Sequence, residues 1–584
     1  MNIICGLENE TYKAVFGINN AGGINRFRAP FSVNESLTMV CAKNDWAAAQ
    51  LLLFSESEML VCVSNETCFY EEGPIDIIRV EVDVPGVEPD NVSVQLVGLV
   101  EDDDRQKKSD ILFNKPFIYV EPRKTQPVWI EVRTGRNMHA GKYKAFIKVL
   151  GHRLFEDEQF LKTLSFDIEV LDIDLGDPTN YSFYLDLWQH NSNIARKYDV
   201  ELWSDKHFEI LRNYILTLAD LGQKAITLVA SEIPWSGQYS CYAKDYCSNL
   251  FEYNIVNISK NREGKWNYDF SILNRYVRLC MECGIDQEIE VFGLINVWTL
   301  EDAGYGKVIE DYPDAVRIRY YDEECGSFRF MRKKKEFESY VKALESNFIN
   351  NGWIDRVRIV ADEPADIKIY KKRISEIRNI APSFRYKAAL NHVSLIEEQI
   401  EGITDYVPIL TAIWEDYDKL KNIKDKISGK FLFYVCCGPK FPNTFIHSPL
   451  VESRLIPWLA YYLGLDGFLR WSYTAWPNDP LTRISYLYPM LSAGDTNFVY
   501  PGKDGKPILS LRYKNLKRGI RDFEILKMYE KKAGKDKLLE ELQNVFKVSM
   551  EEWKEDSRRN REELYSLSYN DYESIIVKAL REIT

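Results

Sequence analysis

Along residues 1–175 the hydrophobic positions fall in short runs that alternate with polar ones or are rich in β-branched residues: SLTMVCA, AQLLLFS, MLVCVSN, IIRVEVDVP, VSVQLVGLV, PVWIEVRTG, YKAFIKVLG and LSFDIEVLDI. Turn residues separate them at short intervals. Alternation of period two sends successive side chains to opposite faces, one of them onto a core, so this region predicts an all-β sandwich. The segment DIDLGDPTN, 172–180, reads as its exit linker.

Beyond the linker, over residues 176–510, short apolar runs alternate with amphipathic stretches. The candidate strands are YSFYLDLWQH (181–190), KAITLVA (224–230), IEVFGL (289–294), VRIVADE (357–363), YKAALNH (386–392), VPILTAIW (407–414), FLFYVCC (431–437) and GFLRWSY (467–473). Between them, Phe208, Leu211, Ile215 and Leu218, and likewise Ile367, Tyr370, Ile374 and Ile377, recur at helical spacing and mark one apolar helix face. Eight strand–helix units predict a (β/α)8 TIM barrel. Two insertions follow strand ends and are expected to rise over the working face. Residues 231–268 form a long loop with Trp235, Tyr239, Tyr242, Tyr246 and Trp266, and residues 315–331 read as a hairpin. Residues 511–584 predict a helical C-terminal extension packed on the barrel, its charges a solvated face.

Composition narrows the chemistry. Lys plus Arg total 75 against 88 Asp plus Glu, a formal net charge of −13, which disfavours tracking of nucleic-acid phosphates or an anionic membrane. No stretch of the chain reads as a membrane span, and the start MNIICGLENE lacks a basic-then-apolar leader pattern, so the sequence predicts a cytoplasmic protein. The 11 cysteines read as reduced thiols; Cys280 and Cys283 form a lone CxxC without a second pair. The six histidines, unpaired at ligand spacing, predict no metal, and neither a P-loop nor a strand-linked GxGxxG is found, so no cofactor is expected.

Chemistry concentrates at the strand ends. VRIVADEPAD, 357–366, runs an apolar strand into adjacent carboxylates, Asp362 and Glu363, and Pro364 stops the ladder. The other ends offer Asp186, Trp188 and His190; Asn296 and Trp298; Asn391 and His392; Trp414 and Glu415; and Arg470, Trp471, Tyr473, Trp476, Asn478 and Asp479. Carboxylates among aromatics predict glycoside chemistry. Each residue also has a plainer reading. Asp362 or Glu363 would serve as a cap for the helix beginning near Asp366, Asp186 as a buried structural acid, the histidines as hydrogen-bonded imidazoles, and the tryptophans as walls of the barrel mouth.

The adjacency limits the mechanism. A retaining glycosidase with a protein nucleophile needs carboxyls roughly 5–5.5 Å apart on opposite sides of the scissile bond. Strand neighbours reach one substrate only where the strand bends out, and then from the same side. Either a distant acid such as Glu415 or Asp186 is the nucleophile, or the substrate's own 2-acetamido group is. To act as a general acid Glu363 has to be protonated near neutral pH, and burial among aromatics and repulsion from Asp362 are expected to raise its pKa.

The ADEP motif at the fourth strand end resembles glycoside hydrolase family 123, the β-N-acetylgalactosaminidases. So do QPVWIEVRTGRNMHAGKYKAFIKV (126–149), the late block GDTNFVYPGKDGKPILSLRYKNLKRGIRDFE (494–524) and the WAAAQ segment from Trp46, the last two also found in uncharacterised relatives of that family. The resemblance implies retaining, exo-acting release of terminal β-linked GalNAc from a glycan, such as a glycolipid headgroup, by substrate assistance. Asp362 would orient the acetamido group and Glu363 would act as acid/base. The resemblance also implies a tyrosine on the acetamido oxygen, for which Tyr473 and Tyr417 are candidates. The alternatives are another glycosidase with a distant second carboxylate and a catalytically silent sugar-binding barrel.

Overall fold

The computed structural model describes the chain except residues 1, 17–32, 64–74, 154–155, 235–250, 297–305, 365, 478, 483–490, 550–551 and 554–558. Trp235, Tyr239, Tyr242, Tyr246, Trp298 and Asn478 therefore lie outside the described residues.

The N-terminal region forms two six-stranded sheets. One runs in the order Ile3–Asn9, Asp45–Ser55, Thr125–Thr134, Val92–Glu101, Lys107–Phe113, Val15–Phe16; the other runs Ser36–Lys43, Gln159–Asp174, Gly141–Arg153, Asp76–Asp83, Met59–Cys62, Phe117–Val120. The two share one apolar core. Leu164, Phe166, Ile168 and Val170 enter it from alternate positions of one strand, as the sequence pattern dictates, and meet Ala47, Ala49, Leu51 and Leu53. The strand Asp45–Ser55 is buried at every residue because its second face is covered too: Trp46 and Ala48 pack with Trp129, Leu450 and Leu511. A strand covered on both faces has no polar side to show, which explains its nearly unbroken apolar run.

From residue 184 parallel strands alternate with helices. Ala225–Val229, Glu288–Phe292, Val357–Asp362, Arg385–Leu390 and Ile403–Pro408 form one sheet; Leu432–Tyr434, Gly467–Arg470 and Tyr184–Leu187 form another. Parallel bridges Leu185–Gln223, Tyr406–Phe431 and Ile409–Tyr434 join the two, so the pairing returns to its start as a ring. Strand residues alternate between two environments. Ile289, Val291, Ile359, Ala361, Phe433 and Val435 face the outer helices. Phe292, Val360, Leu432, Tyr434 and Leu469 pack inside the ring.

Two expectations need correction. The sixth strand is Ile403–Pro408, not 407–414, and Leu410–Glu415 is a short helix. Asp405 hid this strand, since a carboxylate reads as a turn; here it is buried and bonded to Arg358 at 2.6 Å. The helix Leu511–Ala533 is not a solvated tail either. Its Arg518 pairs with Glu10 at 2.7 Å, Arg521 with Asp45 at 2.6 Å, Arg512 with Asp110 at 3.0 Å and Lys514 with Glu131 at 2.7 Å, all buried. The charges face the N-terminal sheets. Helical spacing cannot distinguish a charged face turned to water from one turned to a complementary protein surface.

The 315–331 insertion forms the expected hairpin, Arg319–Asp322 with Ser327–Phe330, and the 231–268 insertion carries strands of its own, Asn257–Lys260 and Trp266–Asp269, in the same small sheet.

Candidate active site

The strand Val357–Asp362 carries Arg358, Val360 and Asp362 on its inner face. Ordinary alternation would then turn Glu363 outward. It does not continue, because Glu363 has φ 47°, a left-handed backbone that ends the strand and that a side chain larger than glycine adopts at a cost. The Glu363 N–H still donates to Ala389 O at 3.0 Å, so the bend is anchored to the neighbouring strand. Pro364 follows and removes the next donor. Neither carboxylate caps the following helix: Asp366 does so itself, accepting from Ile369 N at 2.9 Å.

Tyr434, on the inner face of Leu432–Tyr434, donates its hydroxyl to Glu363 Oε1 at 2.5 Å. Among the described residues no lysine or arginine pairs with either acid. The Asp362 carboxyl is pushed well above the usual carboxylate range, first by burial and then by the adjacent Glu363 charge. Burial and the same charge push Tyr434 up as well, so it stays a donor. The sequence predicts such a carboxyl rise at Glu363; the structure places it at Asp362.

Part of the predicted set gathers near this pair. Trp188 and Trp471 join Tyr434 and Val360 in the ring's inner cluster. Trp188 is buried against Phe292, ring centres 4.8 Å apart. Trp471 is held by its Nε1–H on Asp495 Oδ1 at 3.1 Å, and Asp495 is itself paired with buried Arg470 at 2.8 Å. His190 meets the Trp471 ring edge-on at 5.9 Å, and burial, then Arg196, lowers its pKa to about 3, so it is neutral. Asn391 is exposed just past its strand, and His392 Nδ1 bonds Ser394 Oγ at 2.8 Å. Asn296 is buried in loop bracing: its N–H donates to Asp314 Oδ2 at 2.8 Å and its amide to Ala315 O at 3.3 Å.

Others point elsewhere. Tyr473 is buried toward the helix Asp205–Leu221, its hydroxyl 2.7 Å from that of Thr217. Trp476 donates to Val499 O at 2.7 Å and packs on Tyr214. Trp414 lies on the helix Leu410–Glu415 and stacks on Trp553, ring centres 5.5 Å apart. Tyr417 opens the helix Tyr417–Ile423 and packs against the outer core. Proximity to a strand end in sequence does not say which way an aromatic faces once the chain has left the ladder.

Asp186 belongs to a second acid cluster deeper in the ring. Lys387 Nζ lies 2.5 Å from Asp186, 2.9 Å from Glu288 and 2.8 Å from Glu290, all buried. Tyr184 donates to Glu288 at 2.6 Å. The three carboxylates are close enough together to ligate a cation, and the Lys387 ammonium already supplies the positive charge there. A second grouping, Asp102, Asp103 and His447, lies outside the ring, with Lys108 paired to Asp102.

Comparison with known proteins decides the family. The profile described as glycoside hydrolase 123, catalytic domain, matches residues 188–529. The chain belongs to glycoside hydrolase family 123. The fold agrees. A family 123 glycoside hydrolase from Clostridium perfringens, whose solved structure addresses glycolipid glycan hydrolysis, superposes with a TM-score of 0.74 at 18% identity, covering 100% of this chain and 97% of that one. A putative glycoside hydrolase from Bacteroides vulgatus overlaps 77% of each chain at 9% identity with a TM-score of 0.31. No curated protein matches the sequence. As a family 123 enzyme the chain is a glycoside hydrolase, and among the described residues no helix is long and apolar enough to cross a membrane.

Proposed function

We propose that this family 123 enzyme is an exo-acting, retaining β-N-acetylgalactosaminidase that uses the substrate's 2-acetamido group as nucleophile. The ring is read as a (β/α)8 barrel over residues 176–510, preceded by a β-sandwich at 1–175 and followed by the helical extension 511–584. The observation that carries the proposal is the left-handed Glu363 directly after inward-facing Asp362, which lets two neighbouring acids share one side of a bound sugar.

In this mechanism Asp362 accepts the acetamido N–H. A donor to the ionised form favours ionisation, so sugar binding draws the proton held by the raised Asp362 carboxyl toward Glu363. Glu363, oriented by Tyr434, protonates the departing oxygen while the acetamido oxygen closes on the anomeric carbon. Glu363 then takes a proton from the water that opens the oxazolinium ring, so configuration is retained. The carboxylate of Asp362 stabilises the developing positive charge in a site where, among the described residues, no protein cation competes.

A distant protein nucleophile fits less well. Asp186 is taken up by Lys387, and Glu415 sits on the helix Leu410–Glu415. The glycolipid headgroup remains the preferred natural substrate class, by likeness to the Clostridium perfringens enzyme. The test is hydrolysis of aryl β-GalNAc against aryl β-galactoside, with a GalNAc-derived thiazoline as inhibitor. Cleavage of the amino sugar alone, blocked by the thiazoline, is expected; brisk cleavage of the plain galactoside would overturn the mechanism.

A further inference from the structure

Beyond Tyr434 the chain carries two consecutive thiols, Cys436 and Cys437, with sulfurs 3.7 Å apart. They differ in access. Cys436 turns toward the inner cluster with Tyr434 and Trp471, whereas Cys437 is exposed. The turn that presents them is well braced. The Cys436 N–H donates to Gly438 O at 2.9 Å, and the amide of buried Asn443 donates to Cys436 O at 3.0 Å and to Pro439 O at 2.7 Å. Cys436 packs in the same inner cluster as Tyr434, whose hydroxyl holds Glu363, so the turn carrying Cys437 rises next to the proposed acid.

We propose that Cys437 is a thiol-modification site at the mouth of the active site, open to low-molecular-mass disulfides and resolved by Cys436. An exposed thiol beside a second, less accessible one is the arrangement of a reactive cysteine and its resolving partner. The hydrogen bond between the two thiols lowers the Cys437 thiol, and the same hydrogen bond, then burial, pushes Cys436 up, so the thiolate forms on the exposed member.

The chemistry balances. The Cys437 thiolate attacks one sulfur of R–S–S–R, an S–S bond forms to Cys437, and RS⁻ leaves and takes a proton from water. Cys436, on losing its proton, attacks the Cys437 sulfur, forms the Cys436–Cys437 bond and expels the second RS⁻. In sum two protein thiols are oxidised and one small disulfide is reduced to two thiols. Neighbouring α-carbons sit about 3.8 Å apart, below the roughly 4.4 Å lower bound of ordinary disulfides. The internal bond is therefore strained and readily reduced, and the mixed disulfide is the longer-lived blocked form. The block itself rests on the proposed role of Glu363; the labelling does not.

The experiment treats the full chain with oxidised glutathione, maps adducts by peptide mass and follows aryl β-GalNAc hydrolysis in parallel. The expected result is an adduct or an internal bond at Cys437, an activity loss of at least about tenfold reversed by dithiothreitol, and no loss in Cys437→Ser, which keeps wild-type activity untreated. Cys325 is also exposed, and peptide mapping separates it. An unlabelled Cys437, full activity with Cys437 fully labelled, or an equal loss in Cys437→Ser would each overturn the proposal. If the untreated enzyme proves inactive on the glycoside, the hydrolase mechanism fails and the mass result still decides the labelling.

Discussion

The ring holds two clusters of acids that differ in one respect. Below, Asp186, Glu288 and Glu290 surround the Lys387 ammonium. At the mouth, Asp362 and Glu363 have a tyrosine hydroxyl and, among the described residues, no cation. Both sets feel burial, which raises Glu288, Glu290 and Asp362 alike. The lower cluster is completed by the protein and is structural in character. The upper one has no such partner, and in the proposed mechanism the charge that completes it forms as the glycosidic bond breaks. A carboxylate's company, more than its burial, separates a core acid from one kept for chemistry.

Exchanging the roles of the clusters by mutation tests this contrast. Glu363→Gln should lower kcat on a natural β-GalNAc glycoside by about 10²–10⁴-fold, the usual contribution of a general acid/base, with the thermal midpoint little changed. Lys387→Met should do the reverse. Removing one partner from a buried ion group costs about 3–5 kcal/mol, so chemical denaturation should show that loss. Equal kcat effects from the two would erase the distinction.

Tyr434→Phe should cost about 1.5–3 kcal/mol of transition-state stabilisation, the worth of a hydrogen bond to a charged group, read as a fall in kcat with KM nearly constant. The smallest effect concerns stability. A raised Asp362 keeps its proton in the folded chain after the unfolded chain has released it. Folding therefore loses stability as pH climbs from ~3.9 toward the raised value. Asp362→Asn removes that residue's share of the dependence, so it should be less active yet more stable than the wild type at neutral pH. A variant whose stability falls between pH 4 and pH 7 by as much as the wild type's would contradict the assignment.

Much of this contrast is legible in the sequence. The period-two runs of the first 175 residues and the alternation that follows reflect burial, which leaves its mark on hydrophobic spacing. Asp362 and Glu363 stood out because two acids and a proline ending an apolar strand conflict with strand propensity. What the sequence conceals is direction. Tyr434 sits in FLFYVCC, where apolar residues on both faces conceal which ones point inward; Phe433 and Val435 facing the helices fix it only once the register is known. Tyr473, Trp476 and Trp414 looked equally suitable and turn away from the mouth. The charged helix Leu511–Ala533 was misread for a related reason: its complement, Glu10, Asp45, Asp110 and Glu131, lies hundreds of residues upstream.

The central claim is that the sugar's own amide is the nucleophile because neighbouring acids share one side of it. The most direct measurement compares kcat/KM for aryl β-galactosaminides bearing N-acetyl, N-fluoroacetyl, N-difluoroacetyl and N-trifluoroacetyl groups. Each added fluorine weakens the attacking carbonyl oxygen, so the account predicts a steep, monotonic fall across the series. A flat series, with the trifluoroacetyl substrate cleaved as fast as the acetyl one, would mean that a group on the protein attacks the anomeric carbon.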